Sequence, residues 1–543
     1  MRVAIIGAGF AGLSAAKVLT EFGHEVVVYD KTPDVGGVWS STRRYPGVAT
    51  QNNKGTYCFS DFPMPKQYPE WPSGGQVQSY LDDYVRHFGL QSHLRLGNEV
   101  TNADLDRASG SWRLRARATD DGAAGTVSTE QYDFLVVANG IFSEPMVPDF
   151  EGLEAFTAAG GRLCHTSEFH DAQESAGRHV LVVGYGKSSC DMAVAISPVA
   201  ASTTIVAREL LWKMPTKLGT VLNYKYLMLT RMGEGLFEYI KPRGVERFLH
   251  GPGRAVRNLM IGSIQSIASR QTNLRKLGLL PSGNFQDIAR STASLTTTGL
   301  YEQVAAGRVV VERDTTISRL LVVDGRPSAE LSSGKIVPAD VVVCGTGFRQ
   351  SVPFFDEALG SELHDERGNF QLYRQILPVG VPSLAFAGYN SSLLSPLSAE
   401  VAAWWIADHL NGTMVLPSVP EMTDHVQTRL KWMEERTGGK HARGTNIIPF
   451  SMHNIDEMIS DLGLDVGSVT RAKQWLLPIS PQSYRKLPGK LRSRHEMAGA
   501  AGLSAPTVAS ARRRGQGVEP APTPAAKTGD HQPVVVYSGP DRR

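Results

Sequence analysis

Two segments of the chain share one arrangement: a short β-run, a glycine-rich loop, a helical run and a second β-run. The first starts at "RVAII" and passes through Gly7-x-Gly9-x-x-Gly12 to "EVVVYD". The second starts at "HVLVV" and passes through Gly184-x-Gly186 to "STTIVAR". Such a unit pairs parallel strands and aims a helix N-terminus at the pyrophosphate of a dinucleotide. The chain is therefore predicted to be an α/β protein with two Rossmann-like dinucleotide-binding domains.

The first unit has the full set of features that such a site requires. Gly7 permits the tight turn, Gly9 lets the backbone approach the pyrophosphate, and Gly12 lets the helix pack on the strand. Asp30 ends the second β-run, where its carboxylate can accept hydrogen bonds from a ribose diol. The "GGVW" that follows is typical of FAD-binding loops, so this unit is predicted to bind FAD. Further predicted FAD contacts are Lys31, Gly37, Val38, Trp39 and Thr50.

The second unit differs from the first in the residue that ends it. Ser189 takes the place of the third glycine and is small enough for close packing. Arg208 ends the second β-run of this unit as Asp30 ends that of the first unit, and a guanidinium suits a 2′-phosphate. The unit is therefore predicted to prefer NADPH to NADH, the alternatives being a βαβ unit without a ligand and a solvated arginine. The predicted contacts are Gly184, Gly186, Lys187, Ser188, Ser189 and Arg208.

The composition limits the remaining function classes. The chain has 543 residues, 41% of them hydrophobic, and a net charge of +3, which is typical of a globular protein and gives no case for nucleic acid. The four cysteines, Cys58, Cys164, Cys190 and Cys344, form no C-x-x-C pair. We therefore expect no disulfide framework and no metal site, and a disulfide reductase is disfavoured. The absence of a signal peptide or an apolar span predicts a cytoplasmic protein.

The chain also divides by composition. Residues 1–155 and 331–490 are predicted to form the FAD-binding domain, with the NADPH-binding domain, 156–330, inserted between them. Residues 217–290 mix helical apolar spacing with many Lys and Arg, which predicts a helical insertion. A lid or packing role for this insertion is favoured over a membrane or partner surface. Residues 491–543, rich in Ala, Pro, Gly and Arg, are predicted to be a disordered tail.

Several motifs resemble those of class B flavoprotein monooxygenases, most closely the flavin-containing monooxygenases. Besides the two loops and "GGVW", these are "QNNKGTYCFSDFPMP" (51–65), Arg208-x-x-x-Trp212-x-x-Pro215 and "NIDEMISDLG" (454–463). "ANG" (138–140) and "CGTGF" (344–348) resemble the family's two chain crossings between domains. The resemblance spans about residues 1–470, and it implies that Gly347 also lies at the cofactors.

The family fingerprint F-x-G-x-x-x-H-x-x-x-(Y/F) is present with one departure. Gly161, His165 and Phe169 match it, but Ala159 stands in place of the first Phe, and Phe156 lies three residues earlier. Phe169 in place of the Trp of Baeyer–Villiger enzymes favours the flavin-containing branch. The resemblance implies that His165 is a hinge-side residue and not a catalytic base.

The resemblance also implies the reaction of an NADPH:oxygen monooxygenase. NADPH reduces FAD, the reduced flavin reacts with oxygen to give a C4a-(hydro)peroxide, and the distal oxygen is transferred to a nitrogen or sulfur of a small organic substrate. The protein orients the cofactors and excludes water. Alternatives are Baeyer–Villiger oxidation of a ketone and an NADPH oxidase or reductase that oxygenates nothing. The substrate is left open, as is the oligomeric state, for which a homodimer is one option.

Residue 51 separates two of these alternatives. Flavin-containing enzymes place Asn at this position and Baeyer–Villiger enzymes place Asp, whereas this chain has Gln51. A carboxamide can both donate and accept hydrogen bonds beside the flavin and NADP⁺. Gln51 is therefore the predicted catalytic residue, with Asn52 as a rival for the same role and an ordinary polar loop residue as the alternative.

Overall fold

The computed structural model describes residues 1–119, 125–289, 294–390, 392–439 and 444–500. The strands are β1 (Arg2–Ile6), β2 (Glu25–Tyr29), β3 (Leu94–Arg95), β4 (Asn98–Asp106), β5 (Ser111–Ala118), β6 (Val127–Tyr132), β7 (Phe134–Val137), β8 (Glu144–Pro145), β9 (Arg162–His165), β10 (His179–Val183), β11 (Ser202–Ala207), β12 (Lys217–Leu218), β13 (Leu222–Asn223), β14 (Val309–Arg313), β15 (Ile317–Val323), β16 (Arg326–Leu331), β17 (Ile336–Pro338), β18 (Val341–Cys344), β19 (Phe348–Arg349), β20 (Leu372–Tyr373), β21 (Leu377–Pro378) and β22 (Leu384–Phe386). The α-helices are α1 (Phe10–Glu21), α2 (Gly74–His87), α3 (Leu153–Ala158), α4 (Lys187–Ile196), α5 (Tyr224–Met228), α6 (Arg231–Gly235), α7 (Val245–His250), α8 (Arg254–Gln271), α9 (Leu300–Ala305), α10 (Glu357–Leu363), α11 (Ser395–Leu410), α12 (Val419–Thr437), α13 (Ser451–Asp461), α14 (Ser468–Leu476) and α15 (Leu487–Ala500).

The first parallel sheet has the strand order β22-β7-β1-β2-β3. Its central strands are apolar runs because both faces of the sheet are covered. One cover is α1, which packs against α11. Trp404 and Trp405 on α11 are fully buried, so these two tryptophans belong to the core.

The second parallel sheet repeats this topology in the order β14-β11-β10-β18-β9. Its register repeats as well. Arg2 pairs with Glu25 in the first sheet and His179 pairs with Ser202 in the second, an offset of 23 residues in both (25 − 2 and 202 − 179). The predicted α/β class with two Rossmann-like parallel sheets is confirmed.

The chain passes between the two sheets at a short antiparallel pair. β8 pairs with β19, with Phe348 opposite Pro145. β18 (Val341–Cys344) belongs to the second sheet, although the predicted boundary at 331 assigned it to the FAD-binding domain. A buried run such as "VVVC" fits either parallel sheet, so the sequence could not place it. The rest of the domain division stays a prediction.

Two further segments bear on the predictions. Residues 217–289 contain the helices α5 to α8 and the short β12–β13 hairpin, so helices are the main regular structure of the segment. The predicted disordered tail, 491–543, is wrong for residues 491–500, because α15 continues through them. Residues 501–543 lie outside the described part of the chain. None of the helices in the described part combines the length and hydropathy that a membrane crossing requires.

Partly buried ionic contacts tie the 217–290 segment to α13. His453 on α13 lies between Glu234 of α6 and Glu246 of α7, and its Nε2 donates to Glu246 Oε2 at 3.1 Å. Burial acts to lower the pKa of His453, but the two carboxylates raise it to about 10. Arg231 donates to Asp456, also on α13, at 2.6 Å. These contacts fix the insertion on the body of the protein.

Candidate active site at the two glycine loops

The first loop is closely packed at two glycines. Gly7 has φ +114°, and a Cβ on it would lie 2.3 Å from the carbonyl oxygen of Ala138. A Cβ on Gly12 would lie 1.8 Å from the carbonyl oxygen of Gly7. Both positions therefore exclude a side chain. Gly9 is the N-cap of α1 and provides no side-chain cap, so the first N–H groups of the helix are left available to a ligand.

Asp30 is bonded to the loop that it follows. Its Oδ2 accepts a hydrogen bond from Ala8 N at 2.7 Å, and its Oδ1 accepts from Thr32 N at 2.9 Å. Oδ1 also accepts from the Thr32 hydroxyl at 2.7 Å. The carboxylate thus fixes the first loop, and Oδ2 keeps a lone pair for a ribose hydroxyl. The neighbouring Lys31 is exposed.

The "GGVW" turn packs on the first loop. A Cβ on Gly37 would lie 3.2 Å from Gly9 Cα, and Gly36 N donates to the carbonyl oxygen of Ala8 at 3.0 Å. Trp39 is buried, whereas Val38 is 38% exposed. The structure thus brings Gly36 and Gly37 to the first loop.

Asp34 holds this turn and was missed by the sequence analysis. It accepts hydrogen bonds from Ser41 N at 3.0 Å, from Gln78 Nε2 at 2.5 Å and from the Ser40 hydroxyl. Burial acts to raise the pKa of Asp34, but these donors lower it. The sequence feature that could have indicated this role is the position of the Asp34 carboxylate just before the glycine pair.

The segment that follows contains the predicted catalytic residue and its rival. Gln51 Oε1 accepts from the backbone N of Leu295 at 3.2 Å, across to the second unit. Asn52 is buried and donates from Nδ2 to the carbonyl oxygen of Leu393, within the first unit. Thr50 is also buried and donates to the carbonyl oxygen of Asn52 at 2.8 Å. The two neighbours therefore bond to different segments, and Gln51 contacts a segment of the second unit.

A buried donor in the same segment has no partner. Asn53 is 5% exposed, and its Nδ2 makes no hydrogen bond in the described part of the protein. A buried amide without a partner costs free energy, and a ligand oxygen would satisfy it. The sequence "QNNK" gave no reason to prefer Asn53 over Gln51 or Asn52 as a ligand contact.

The second loop leaves more room than the first. Gly184 has φ +106°, and a Cβ on it would lie 2.8 Å from the carbonyl oxygen of Gly345. Gly186 is the N-cap of α4, and a Cβ there would meet no atom within 4 Å. Ser189 is buried against the loop. Gly186 therefore borders open space at a helix N-terminus, as a phosphate site requires.

The two predicted cations of the second loop are placed differently. Lys187 forms an ion pair with Asp191 one turn further along α4, so its ammonium lies along its own helix. Arg208 follows β11 directly and is exposed. Within the described residues its guanidinium forms no hydrogen bond or ion pair. Arg208 is thus available to a phosphate, whereas Lys187 already has a carboxylate partner.

The first unit contacts α4 through residues that the sequence analysis missed. The Tyr45 side chain lies against Ser188 and Asp191, and burial together with the Asp191 carboxylate raises its pKa. A Cβ on Gly47 would lie 3.1 Å from the carbonyl oxygen of Asp191. Thr297 donates to Asp191 Oδ1 at 2.5 Å. The one sequence feature that could have indicated a role for Asp191 is its carboxylate within the mainly apolar run "CDMAVAIS".

The fingerprint lies at the crossing between the sheets. A Cβ on Gly161 would lie 2.4 Å from the ring of Phe156, so Phe156 provides an aromatic ring at this glycine despite its shifted position. His165 is fully buried with its ring 4.6 Å from that of Phe348, and burial lowers its pKa. Gly347, with φ +87°, accepts from Met146 N at 3.0 Å and borders open space.

These features fit two dinucleotides. Each loop precedes a helix N-terminus without a side-chain cap, and the residues beside each loop offer unused partners. At the first loop this partner is the Asp30 carboxylate, and the unpaired Asn53 amide lies in the segment that contains Gln51. At the second they are the exposed Arg208 and the free space at Gly186.

A family model, flavin-binding monooxygenase-like, matches residues 1–251 and 326–466. The chain belongs to this family. It is an FAD- and NADPH-dependent flavoprotein monooxygenase. The predicted family, cofactors and enzyme class are thereby confirmed.

Three comparisons show how far the similarity extends. The chain is 26% identical to a 4-hydroxybenzoate brominase (decarboxylating) of Marinomonas mediterranea, covering 78% of this chain and 76% of the relative. It is 25% identical to human flavin-containing monooxygenase 1, covering 79% and 77%. Its fold is similar to that of cyclohexanone monooxygenase from Rhodococcus sp. Phi1 bound to NADP⁺, with a TM-score of 0.64, 18% identity and coverage of 85% and 97%.

Proposed function

We propose that this monooxygenase transfers one oxygen atom from O₂ to the nitrogen or sulfur of a small organic substrate. The observation that carries the proposal is the hydrogen bond from Leu295 N to Gln51 Oε1, at 3.2 Å. It supports a position for residue 51 at the surface shared by the two units. This residue is an uncharged carboxamide, whereas ketone-oxidising relatives are expected to have an acid there. Gln51 is accordingly assigned to the reaction site and Asn52 to its support.

The cofactor assignments follow from the placement of the loops. FAD binds at the first loop, with its ribose at Asp30, and NADPH binds at the second loop, with its 2′-phosphate at Arg208. Bound FAD, reduced by NADPH, supplies the chemistry that activates oxygen. The protein binds and orients both cofactors and the substrate, and it keeps water away from them. The Tyr45 and Gln51 contacts hold the two units together for this purpose.

Product analysis under ¹⁸O₂ tests the proposal. The FAD-loaded enzyme is supplied with NADPH and panels of amines, sulfides and ketones, and NADPH consumption, peroxide and product mass are followed together. We expect an N-oxide or sulfoxide that carries one ¹⁸O, with less peroxide than NADPH consumed.

Three other outcomes would contradict the proposal. A labelled ester or lactone from a ketone, with amines and sulfides unchanged, would show a Baeyer–Villiger enzyme. Peroxide equal to NADPH with every substrate would show an oxidase. In a parallel assay with 4-hydroxybenzoate and added bromide, a brominated product that lacks ¹⁸O would show the activity for which the Marinomonas relative is named.

A further inference from the structure

The two loops are fixed to the protein by different bonds. In the first loop, the residue after the first glycine is Ala8, and its N–H donates to Asp30 at 2.7 Å. In the second loop the corresponding residue is Tyr185, since Ile6 pairs with Tyr29 as Val183 pairs with Val206. The position that matches Asp30 is then Ala207. An alanine side chain cannot accept a hydrogen bond, so the second loop lacks this support.

Lys213 supports the second loop through the carbonyl group of Tyr185 instead of its N–H group. Its Nζ donates to the carbonyl oxygen of Tyr185 at 2.8 Å and lies 4.8 Å from the centre of the Tyr185 ring. Its side chain is 3% exposed. Across the described ranges of the chain, no carboxylate lies within 4 Å of it. Its ammonium also interacts with the thiol of Cys190, whose pKa is raised by burial.

This bond fixes the direction of a phosphate-binding donor. The C=O and N–H of a trans peptide point in opposite directions, so a carbonyl of Tyr185 held towards Lys213 aims the N–H of Gly186 away from it. Gly186 N–H forms no hydrogen bond in the described part of the protein, and the space beside Gly186 is open. A cation on the carbonyl also polarises the peptide and strengthens its N–H as a donor.

The charge of Lys213 points to the same ligand. A buried ammonium without a counter-charge is costly, and an anion bound nearby offsets that cost. The pyrophosphate of a dinucleotide at Gly186 would be such an anion. Lys213 would then act on every dinucleotide that carries a pyrophosphate, whereas Arg208 would act only on one with a 2′-phosphate.

We propose that Lys213 is the positioning residue of the second dinucleotide site, replacing the acid that fixes the first loop and so leaving the end of β11 to Arg208. The inference rests on the assignment of NADPH to the second loop. It predicts that the two cations contribute separably: Lys213 to affinity for the pyrophosphate and Arg208 to preference for the 2′-phosphate.

Equilibrium titration of the FAD-loaded protein with NADP⁺ and NAD⁺ tests this division. We expect Lys213→Met to raise both dissociation constants by the same factor, on the order of tenfold, because a charge-assisted hydrogen bond is lost. Arg208→Ala should raise only that of NADP⁺. Lys213→Arg, which keeps the charge, should bind both within a few-fold of the unmodified protein. FAD content and melting temperature are measured for each variant.

The outcomes distinguish the role of Lys213 from the assignment of NADPH to the second loop. An unmodified protein that holds FAD but binds neither dinucleotide would overturn the assignment of the second loop. Normal binding by Lys213→Met, or a loss confined to NADP⁺, would overturn the role of Lys213 alone. If Lys213→Met purifies without FAD, Lys213→Gln, which keeps a neutral donor, takes its place, and unchanged affinities in that variant would contradict the role of the charge.

Discussion

Ser189 and Gly345 share one small space at the second loop: a Cβ on Gly345 would lie 2.0 Å from Ser189 Oγ. That hydroxyl lies 3.3 Å from the carbonyl oxygens of Val183 and Gly345. In the first loop the third glycine, Gly12, allows the helix to pack. In the second loop the helix position carries a serine, and the glycine that makes room for it stands after β18.

Because Ser189 and Gly345 share one space, a substitution at one position should be compensated by a substitution at the other. Gly345→Ala should lower the stability of the second unit by about 1–3 kcal/mol, since it overpacks a closed site. Ser189→Gly in the same chain should recover most of that loss by removing the hydroxyl. Thermal melts and NADP⁺ titration of the two single variants and the double variant check this. Additive effects of the two substitutions would show that they do not share the space.

Arg208 should determine the choice between the two nicotinamide cofactors. Its guanidinium is exposed and has no partner among the described residues, so its removal leaves no buried charge unpaired. Arg208→Ala should raise the KM for NADPH about ten- to a hundredfold and leave that for NADH nearly unchanged. Arg113→Ala, at an exposed arginine on β5 outside both loops, is the matched control. Equal changes for the two cofactors would contradict a 2′-phosphate contact.

The local pattern predicted the two sheets and their loops because each strand–loop–helix unit is encoded within about 30 contiguous residues. Gly7, Gly12 and Gly184 lie where close packing excludes a side chain, as the pattern predicts. β18 was assigned to the wrong sheet because its four buried residues fit either one. Long-range pairing decided that assignment.

Contacts between distant segments were beyond sequence reasoning. Lys213 follows Tyr185 by 28 positions, and Leu295 follows Gln51 by 244. No period or spacing links such residues, because the turns and insertions between them set the contact. The start of the predicted tail was wrong for a related reason: α15 is stabilised by packing, with Leu491 fully buried, and not by its composition.

Gln51 should limit the escape of peroxide. Its bond to Leu295 N holds the two units together where water must be excluded. Gln51→Ala removes the acceptor, and we expect the ratio of peroxide to NADPH consumed to rise several-fold. Gln51→Glu keeps an acceptor of the same length, so it should preserve the contact and show the effect of added charge. An unchanged ratio of peroxide to NADPH in Gln51→Ala would show that Gln51 does not limit the escape of peroxide.

His453 should make the attachment of the insertion sensitive to alkali. Its folded pKa of about 10 lies above the ordinary value of 6.5, so its stabilisation is fully present below pH 6.5 and is lost as the pH rises to about 10. His453→Gln should lower the free energy of unfolding by about 3 kcal/mol at pH 6, because Glu234 and Glu246 are left without their cation. At pH 10 the difference should nearly vanish. Thermal melts between pH 6 and pH 10 check this prediction, with His87→Gln, at an exposed histidine, as the control. A stability difference between His453→Gln and the unmodified protein that does not change with pH would contradict the ion pairs.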